Sequence, residues 1–492
     1  MKKLLSFLFL YLMAVTVAQA ITFEVDGIYY NLISANDKTC EVTPCGGSYS
    51  TDKKYSGPIH IPAKVVYNGQ ELTVLNIQEY SFIACVELTE LTLPSTIREI
   101  GRSAFANTPK LETLTIPGSV SLIGSGALTN CGIKEIRFEA YQPWGEVYHS
   151  LDFGSPSEGV NRVRLFDDLP NLEKVYVDRT LPVGSQYPSN SVTYPFSDIQ
   201  TIKEVEMGPN LRESVVFKNC PALEKATLPA TPGFILSGYT FQFCRAIKEI
   251  KNFEYVTTFR ASCLSGVALD LKINPATEYI GENAFYGTGI TNVELTNPAL
   301  NIDANAFGNC QQLENITINS NSLGYYMFMG CEGIKNVTFG PNVTSGSIPR
   351  ALGVKDSNYY NMVPVIENLN MMTPEPPTCS SEFPDEIYIN TTLHVLPGSL
   401  EAYKNARIWK NFWNIQGDQE NGINDTMIDD ANISIFDGMI VMPAVDGEGQ
   451  YTVYGTNGKC MFMGKSGSLY CPEGGVFIIK TPSGKISKVM VP

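Results

Sequence analysis

A set of three apolar residues recurs down this chain at a nearly fixed interval. Leu88, Leu91 and Leu93 return as Leu111, Leu114 and Ile116, and again as Ile133, Ile136 and Phe138, in steps of 23 and then 22 residues. Ile100-Gly101 returns as Ile123-Gly124, and Phe105 as Leu128. A period in the low twenties is the signature of stacked coils, each too short to bury its own apolar face and completed only by its neighbours. Later first anchors are Leu172, Ile202, Leu223, Ile247, Ile290, Leu313, Ile334 and Ile366, with one near Val267 blurred. The steps from 133 to 172 and from 334 to 366 are long, so the extra residues there must leave the stack as loops or an added element.

Within one coil, the last two apolar positions alternate with polar ones, as a short strand with one buried face requires. Pro94, Pro117 and Pro229 follow that strand and end it, because proline has no N–H to donate. Ile-Gly is expected to turn the chain. Ala-Phe, as in Ala104-Phe105, Ala284-Phe285 and Ala306-Phe307, returns an aromatic ring to the interior.

The register can be checked on residues that were not used to set it. The residue after each anchor reads Glu112, Lys134, Glu173, Lys203, Glu224 and Lys248, alternating in sign without a miss, and the alternation resumes at Glu314, Lys335 and Glu367. The next position reads Glu135, Lys174, Glu204, Lys225 and Glu249, then Asn292, Asn315, Asn336 and Asn368. Parallel rungs lie ~4.8 Å apart, so stacked like charges would repel, while alternating charges pair and amides bond up a ladder. These residues are a structural seam by this reading, not a binding site.

Residues 1–20 read as a signal peptide: Lys2 and Lys3, an apolar run from Leu4 to Val17, then Ala18-Gln19-Ala20. Residues 21–57 form an N-terminal β cap, with a hairpin turning at Asp26-Gly27. The stack runs over 58–415, with an insertion at 139–200. At its end, Leu400, Tyr403, Ala406, Trp409, Phe412 and Trp413 are spaced for one face of a helix over 398–415. That apolar stripe either plugs the last coil or offers sugars a stacking platform. Residues 416–431 are a polar linker with five acids and no base. Residues 432–492 carry short strands with close turns, which make a small β-sandwich.

The net charge is −15, and −17 once Lys2 and Lys3 are removed, which makes nucleic acid and anionic membrane poor partners. Charged residues make up 17% and aromatic residues 11%, the balance of a chain with a large core. Of twelve cysteines, Cys85, Cys131, Cys220, Cys244, Cys310 and Cys331 sit just before a repeat's first anchor and read as buried thiols. Cys40 with Cys45 and Cys460 with Cys471 are local pairs outside that series, open to disulfide formation. His60, His149 and His394 are scattered, and no HExxH, paired CxxC, GxSxG or phosphate loop is present. No catalytic, metal or cofactor site is expected, and no enzyme activity.

The pattern AFxNCxxLxxLxLPxxVxxIG, clearest over Val215–Pro229 and Asn305–Ile318, resembles the BspA-type leucine-rich repeat of bacterial surface proteins. The resemblance covers roughly residues 21–415. It implies a mostly β, α/β-poor fold: a right-handed leucine-rich-repeat solenoid with parallel stacked short strands, followed by the C-terminal β-sandwich. The stretch from Tyr451 to Pro492 resembles, more weakly, the sorting domains of type IX secretion in Gram-negative bacteria, with Gly475, Phe477, Lys480, Gly484, Lys488 and Val489 matching the closing pattern. That resemblance implies Sec export, contact with the secretion machinery, and a place on the outer cell surface or in the medium. The alternative is a retained β-sandwich accessory domain.

What remains is recognition. Tyr141, Trp144, Tyr148, Phe153 and Tyr187 crowd the Gly/Pro/Ser-rich insertion and either face solvent as a binding site or hold the insertion down. The outward strand positions, among them Thr92, Thr115, Arg137, Tyr176, Glu206, Thr317 and Asn370, form a polar face that is either a binding face or simply solvated. The expected role is that of a monomeric adhesin-like binder of a protein or glycan ligand outside the cell. The alternative is a structural scaffold of the cell envelope.

Overall fold

The structure is a computed structural model. It describes residues 21–48, 52, 54–144, 150–153, 166, 169–182, 184–186, 191–346, 348–352, 366–379, 381–417, 433–436, 438–444, 449–455, 460–471, 475–482 and 486–491. Residues 1–20, read above as a signal peptide, the linker beyond Gly417, Tyr148 and Tyr187 lie outside them. The chain divides into two compact units, Met1–Ile290 with Ile302–Gln311, and Thr291–Asn301 with Gln312–Pro492.

In the first unit, Thr22–Val25 and Ile28–Ser34 form an antiparallel hairpin. Its turn at Asp26 and Gly27 places both residues at positive φ, 51° and 79°, the mirror-image turn whose twist matches a tight hairpin. Ile28–Ser34 pairs with Thr39–Val42, which in turn pairs in parallel with Gln70–Ile77. Phe23 stacks on Tyr30 and Tyr67 at 5.6 and 4.2 Å, closing the apolar end of the first coils. Six strands then stack in parallel as a ladder sheet: Thr113–Ile116, Glu135–Phe138, Lys174–Val177, Glu204–Met207, Lys225–Thr227 and Glu249–Lys251. Leu114, Ile136, Val175, Val205, Ala226 and Ile250 lie in register and are all buried.

Behind this sheet runs a column of rings. Phe166, Phe196, Phe217 and Phe241 are spaced 4.6, 5.2 and 6.5 Å apart, and Phe259, Phe285 and Phe307 4.9 and 5.2 Å. The repeat cysteines belong to the same device. Four of them donate the thiol to the carbonyl of the phenylalanine one coil earlier: Cys131 to Phe105 at 2.9 Å, Cys220 to Phe196 at 3.1 Å, Cys244 to Phe217 at 3.0 Å and Cys310 to Phe285 at 3.0 Å. A small, weakly polar side chain recurs there because a buried carbonyl needs a donor. All twelve cysteines are free thiols, so neither Cys40 with Cys45 nor Cys460 with Cys471 is bridged. Cys40 lies in the core, where its thiol donates to Thr73.

The Ile-Gly pair opens the turn as expected, the carbonyls of Gly101, Gly124 and Gly281 accepting from the N–H of Ala104, Ala127 and Ala284, but the turn is not why the residue is glycine. Gly101, Gly124 and Gly281 lie outside the left-handed region. They are glycine because consecutive coils approach too closely there for a side chain. A Cβ on Gly124 would stand 2.5 Å from the Arg102 nitrogen, and one on Gly281 2.8 Å from the Ala261 nitrogen. The left-handed positions fall elsewhere in the coil, at Asn107, Asn130, Asn219 and Asn309 among others, the residue type that tolerates them best after glycine.

The second unit has its own six-stranded parallel ladder sheet: Asn292–Leu295, Asn315–Ile318, Asn336–Phe339, Asn368–Met371, Thr392–Val395 and Asn414–Gly417. The single helix expected over 398–415 is two short pieces. A helix over Leu400–Asn405 ends where Ala406 turns extended (ψ 138°), and a 3₁₀ turn follows at Trp409–Asn411. The break lets Tyr403 and Trp409 both point inward, where Tyr403 shares a hydrogen bond with Thr373 at 2.7 Å and Trp409 Nε1 donates to Pro377 at 2.9 Å. Phe383, Tyr388 and Phe412 complete this aromatic plug.

Two antiparallel sheets follow, one of Ser434–Phe436, Met439–Met442 and Gly467–Tyr470, the other of Cys460–Gly464, Tyr451–Gly455, Gly475–Lys480 and Ile486–Val491. They share a core that includes Ile440, Tyr451, Val453, Ile479 and Val489. The strand Gly467–Tyr470, which has little alternation, is the one the sequence pattern misses.

The close approach at the glycines gives a direct test. Gly124→Ala forces a methyl group into backbone of the preceding coil and is expected to cost about 1–3 kcal/mol, read as a lower midpoint in urea unfolding.

Candidate functional site

Backbone pairing sets each residue of a coil directly over its counterpart in the next, so the outward faces of the two ladder sheets are built of columns. In the first unit the column after the anchors is charged. Lys134 Nζ lies 2.6 Å from Glu112, Lys203 2.8 Å from Glu173 and Lys248 2.9 Å from Glu224. The adjoining column holds Lys174 3.4 Å from Glu204. In the second unit Lys335 lies 3.0 Å from Glu314.

All these side chains are close to half exposed, so each pair contributes little alone. The hydrogen bond from Lys203 holds the Glu173 carboxyl below its ordinary value, and Lys248 does the same for Glu224. Both shifts are downward. Their stabilisation is therefore present above the ordinary carboxylate pKa and is lost as the pH falls through the lower folded value.

The second unit replaces the next column by amides. Asn315 Nδ2 donates to Asn292 Oδ1, Asn336 to Asn315 and Asn368 to Asn336, each at 2.8 Å. His394 Nε2 lies 3.0 Å from Asn368 Oδ1. That oxygen can only accept, so the imidazole carries its proton on Nε2. Burial pushes the pKa of His394 down, which keeps the ring neutral.

The described aromatics of the insertion do not form a surface patch. Phe153 is 4% exposed and meets Phe166 edge-on at 5.8 Å, so it belongs to the core. Trp144 is half-buried, gives its indole N–H to the Ser119 carbonyl at 2.8 Å and lies under the Arg98 guanidinium at 4.2 Å. Tyr141, also half-buried, lies beneath Arg179 at 5.7 Å, and buried Arg179 donates to the carbonyls of Gly118 and Val120. These three rings fasten the start of the insertion to the coils beneath. Elsewhere on the outward face, Arg137 stacks on Tyr176 at 4.1 Å.

Among the described residues no group of three or more His, Cys, Asp or Glu is placed to hold a metal ion. Burial pushes the thiols of Cys85 and Cys471 up to about 11 and those of Cys40 and Cys379 up to about 12, so they stay protonated and weakly nucleophilic near neutral pH. A cavity of about 430 Å³ lies beside the last strand of the first ladder sheet, lined by Ile250, Phe253, Leu271 and Ile273.

The most exposed of the described aromatics that sequence reasoning passed over is Trp413. It was grouped with the plug by its spacing, yet it is 75% exposed, at the start of the last strand of the second ladder sheet. The signal available was its position, one residue before the polar column.

Six copies of the BspA type leucine rich repeat region match the chain, over residues 71–142, 192–275 and 235–348. No curated protein matches it. Among solved structures, a leucine-rich repeat protein from Bacteroides ovatus is 19% identical, with 81% of this chain and 100% of that one covered and a TM-score of 0.37. The pneumococcal vaccine antigen PcpA is 14% identical (81% and 99% covered, TM-score 0.26), and a leucine rich cell surface protein from Faecalibacterium prausnitzii 13% (82% and 96%, 0.21). At such scores these likenesses carry nothing about what this chain does.

Column neighbours can be tested by charge. Lys134→Glu places three acids in one column with Glu112 and Glu173. The thermal midpoint is expected to fall, the fall to shrink in high salt, and the double variant with Glu112→Lys to recover part of it.

Proposed function

We infer, from the BspA type leucine rich repeats that this chain carries, that it is a non-catalytic recognition protein working outside the cell, adhesin-like, with the outward faces of its ladder sheets as the binding surface. The observation that carries this reading is the ladder itself. Two six-stranded parallel sheets hold their outward side chains in fixed register, a preorganised surface that loses little entropy when a partner docks. The negative charge steers the choice of partner away from nucleic acid and anionic lipid.

The chain lacking residues 1–20 is expected to bind saturably to at least one extracellular-matrix protein or glycan on an array. Co-purification with envelope proteins and no array binding would move the role to a scaffold. No array binding together with no co-purification would overturn the recognition reading and the scaffold alike.

The C-terminal β-sandwich is, by the same inference, the export label of a type IX cargo, on the strength of its resemblance to sorting domains. Deleting residues 432–492 is expected to trap the rest of the protein inside the outer membrane of a bacterium that runs this route, as read by fractionation. Unchanged surface display would make the sandwich a retained accessory domain.

A further inference from the structure

The last two strands of the second ladder sheet carry an arrangement that neither the ion pairs nor the aromatic plug explains. Trp409 is 1% exposed, while Trp413, four residues on, is 75% exposed. The residues one position before the polar column are Glu314, Lys335, Glu367, Thr391 and Trp413, because Asn315, Asn336, Asn368, Thr392 and Asn414 lie in register. Where the rungs of Glu314, Lys335 and Glu367 show a charged side chain, the last rung shows an indole, with buried Thr391 between. The Trp413 backbone N–H donates to the Tyr388 carbonyl at 3.0 Å, and Ile389, the residue after Tyr388, is 44% exposed.

The polar groups on the last rungs of this sheet are held in place by one another. Asn414 Nδ2 donates to Thr392 Oγ1 at 2.9 Å, Gln416 Nε2 to Asn414 Oδ1 at 3.4 Å, and His394 is bonded to Asn368. Each bond fixes an orientation and leaves capacity over: the second amide hydrogen of Asn414, the Thr392 hydroxyl hydrogen and the other imidazole nitrogen of His394. The two strands, Thr392–Val395 and Asn414–Gly417, contain no Asp, Glu, Lys or Arg. A carboxylate or sulfate lying along these two strands would lose hydration and meet no opposite charge on them. A protein partner needs an apolar centre of some size, and one indole with one isoleucine falls short of it.

An uncharged ligand with an apolar face and many hydroxyls suits all of these features. Its C–H face can lie on the indole, and its hydroxyls can bond amides and hydroxyls repeated every ~4.8 Å. We propose that Trp413, with Asn414, Thr392 and His394 on the last rungs of the second ladder sheet, forms a binding platform for a neutral polysaccharide at the end of that sheet. The proposal rests on the recognition reading above and names its ligand class and site.

The test uses the chain without residues 1–20 and probes it with dextran, mannan and laminarin as neutral polysaccharides, heparin and polygalacturonate as charged ones, and a panel of extracellular-matrix proteins. At least one neutral polysaccharide is expected to bind, shift tryptophan emission to the blue and protect it from acrylamide. Trp413→Ala is expected to lower that affinity at least tenfold and abolish the shift, with an unchanged unfolding midpoint because the side chain is exposed. Trp413→Phe should keep part of the affinity, and Asn414→Ala should lose severalfold. Equal binding by Trp413→Ala, or binding to charged polysaccharides alone, overturns the platform. Binding to matrix proteins alone overturns it too but leaves the recognition reading standing, and binding to no probe removes both.

Discussion

Parallel strands of one rung pair with the same residues of the next, and this in-register hydrogen bonding governs nearly every other choice in the chain. Because rungs lie ~4.8 Å apart, each residue has as its nearest neighbours its own counterparts one coil away. A residue type is tolerated at a position only if it can stand beside another of its kind or a complement. Phenylalanines stack on phenylalanines, cysteines reach back to the carbonyl of the preceding coil, and glycines let two backbones approach within a distance that forbids a Cβ.

The two units meet this constraint differently on their outward faces. The first alternates Glu and Lys, the arrangement in which every stacked neighbour carries the opposite charge. The second keeps that pairing in one column, at Lys335 and Glu314, and fills the next with asparagine, whose side chain both donates and accepts and so needs no alternation. The charged ladder depends on pH and salt, whereas the amide ladder does not. Where the pattern slips, the ladder stops. Around Val267 the apolar positions fall at Leu269, Leu271 and Ile273, and this segment forms no strand. The first sheet therefore ends at Glu249–Lys251 beside a cavity.

A polar sheet face with few exposed apolar side chains suits recognition by many weak directional bonds rather than by a greasy anchor. Against that background the aromatics separate by environment. Trp144 and Tyr141 are taken up by arginines from the coils beneath, Phe153 is core, and Trp409 fills the end of the stack. Trp413 alone of the three tryptophans presents most of its ring to water.

The sequence by itself determined the repeat, its register and the inward residues. Those follow from periodicity, and periodicity is a one-dimensional property that backbone pairing converts directly into stacking. It also marked the alternating column, since Glu112, Lys134 and Glu173 carry their complementarity in their order. Only the tertiary structure decided that Gly124 answers to a backbone in another coil, that the cysteines are donors, that the stripe ending at Trp413 breaks at Ala406, and that Trp144 is held down while Trp413 is not. Each of these depends on what lies across a gap in space from residues 20 or more positions away, and spacing along the chain does not record which side of a ring faces water.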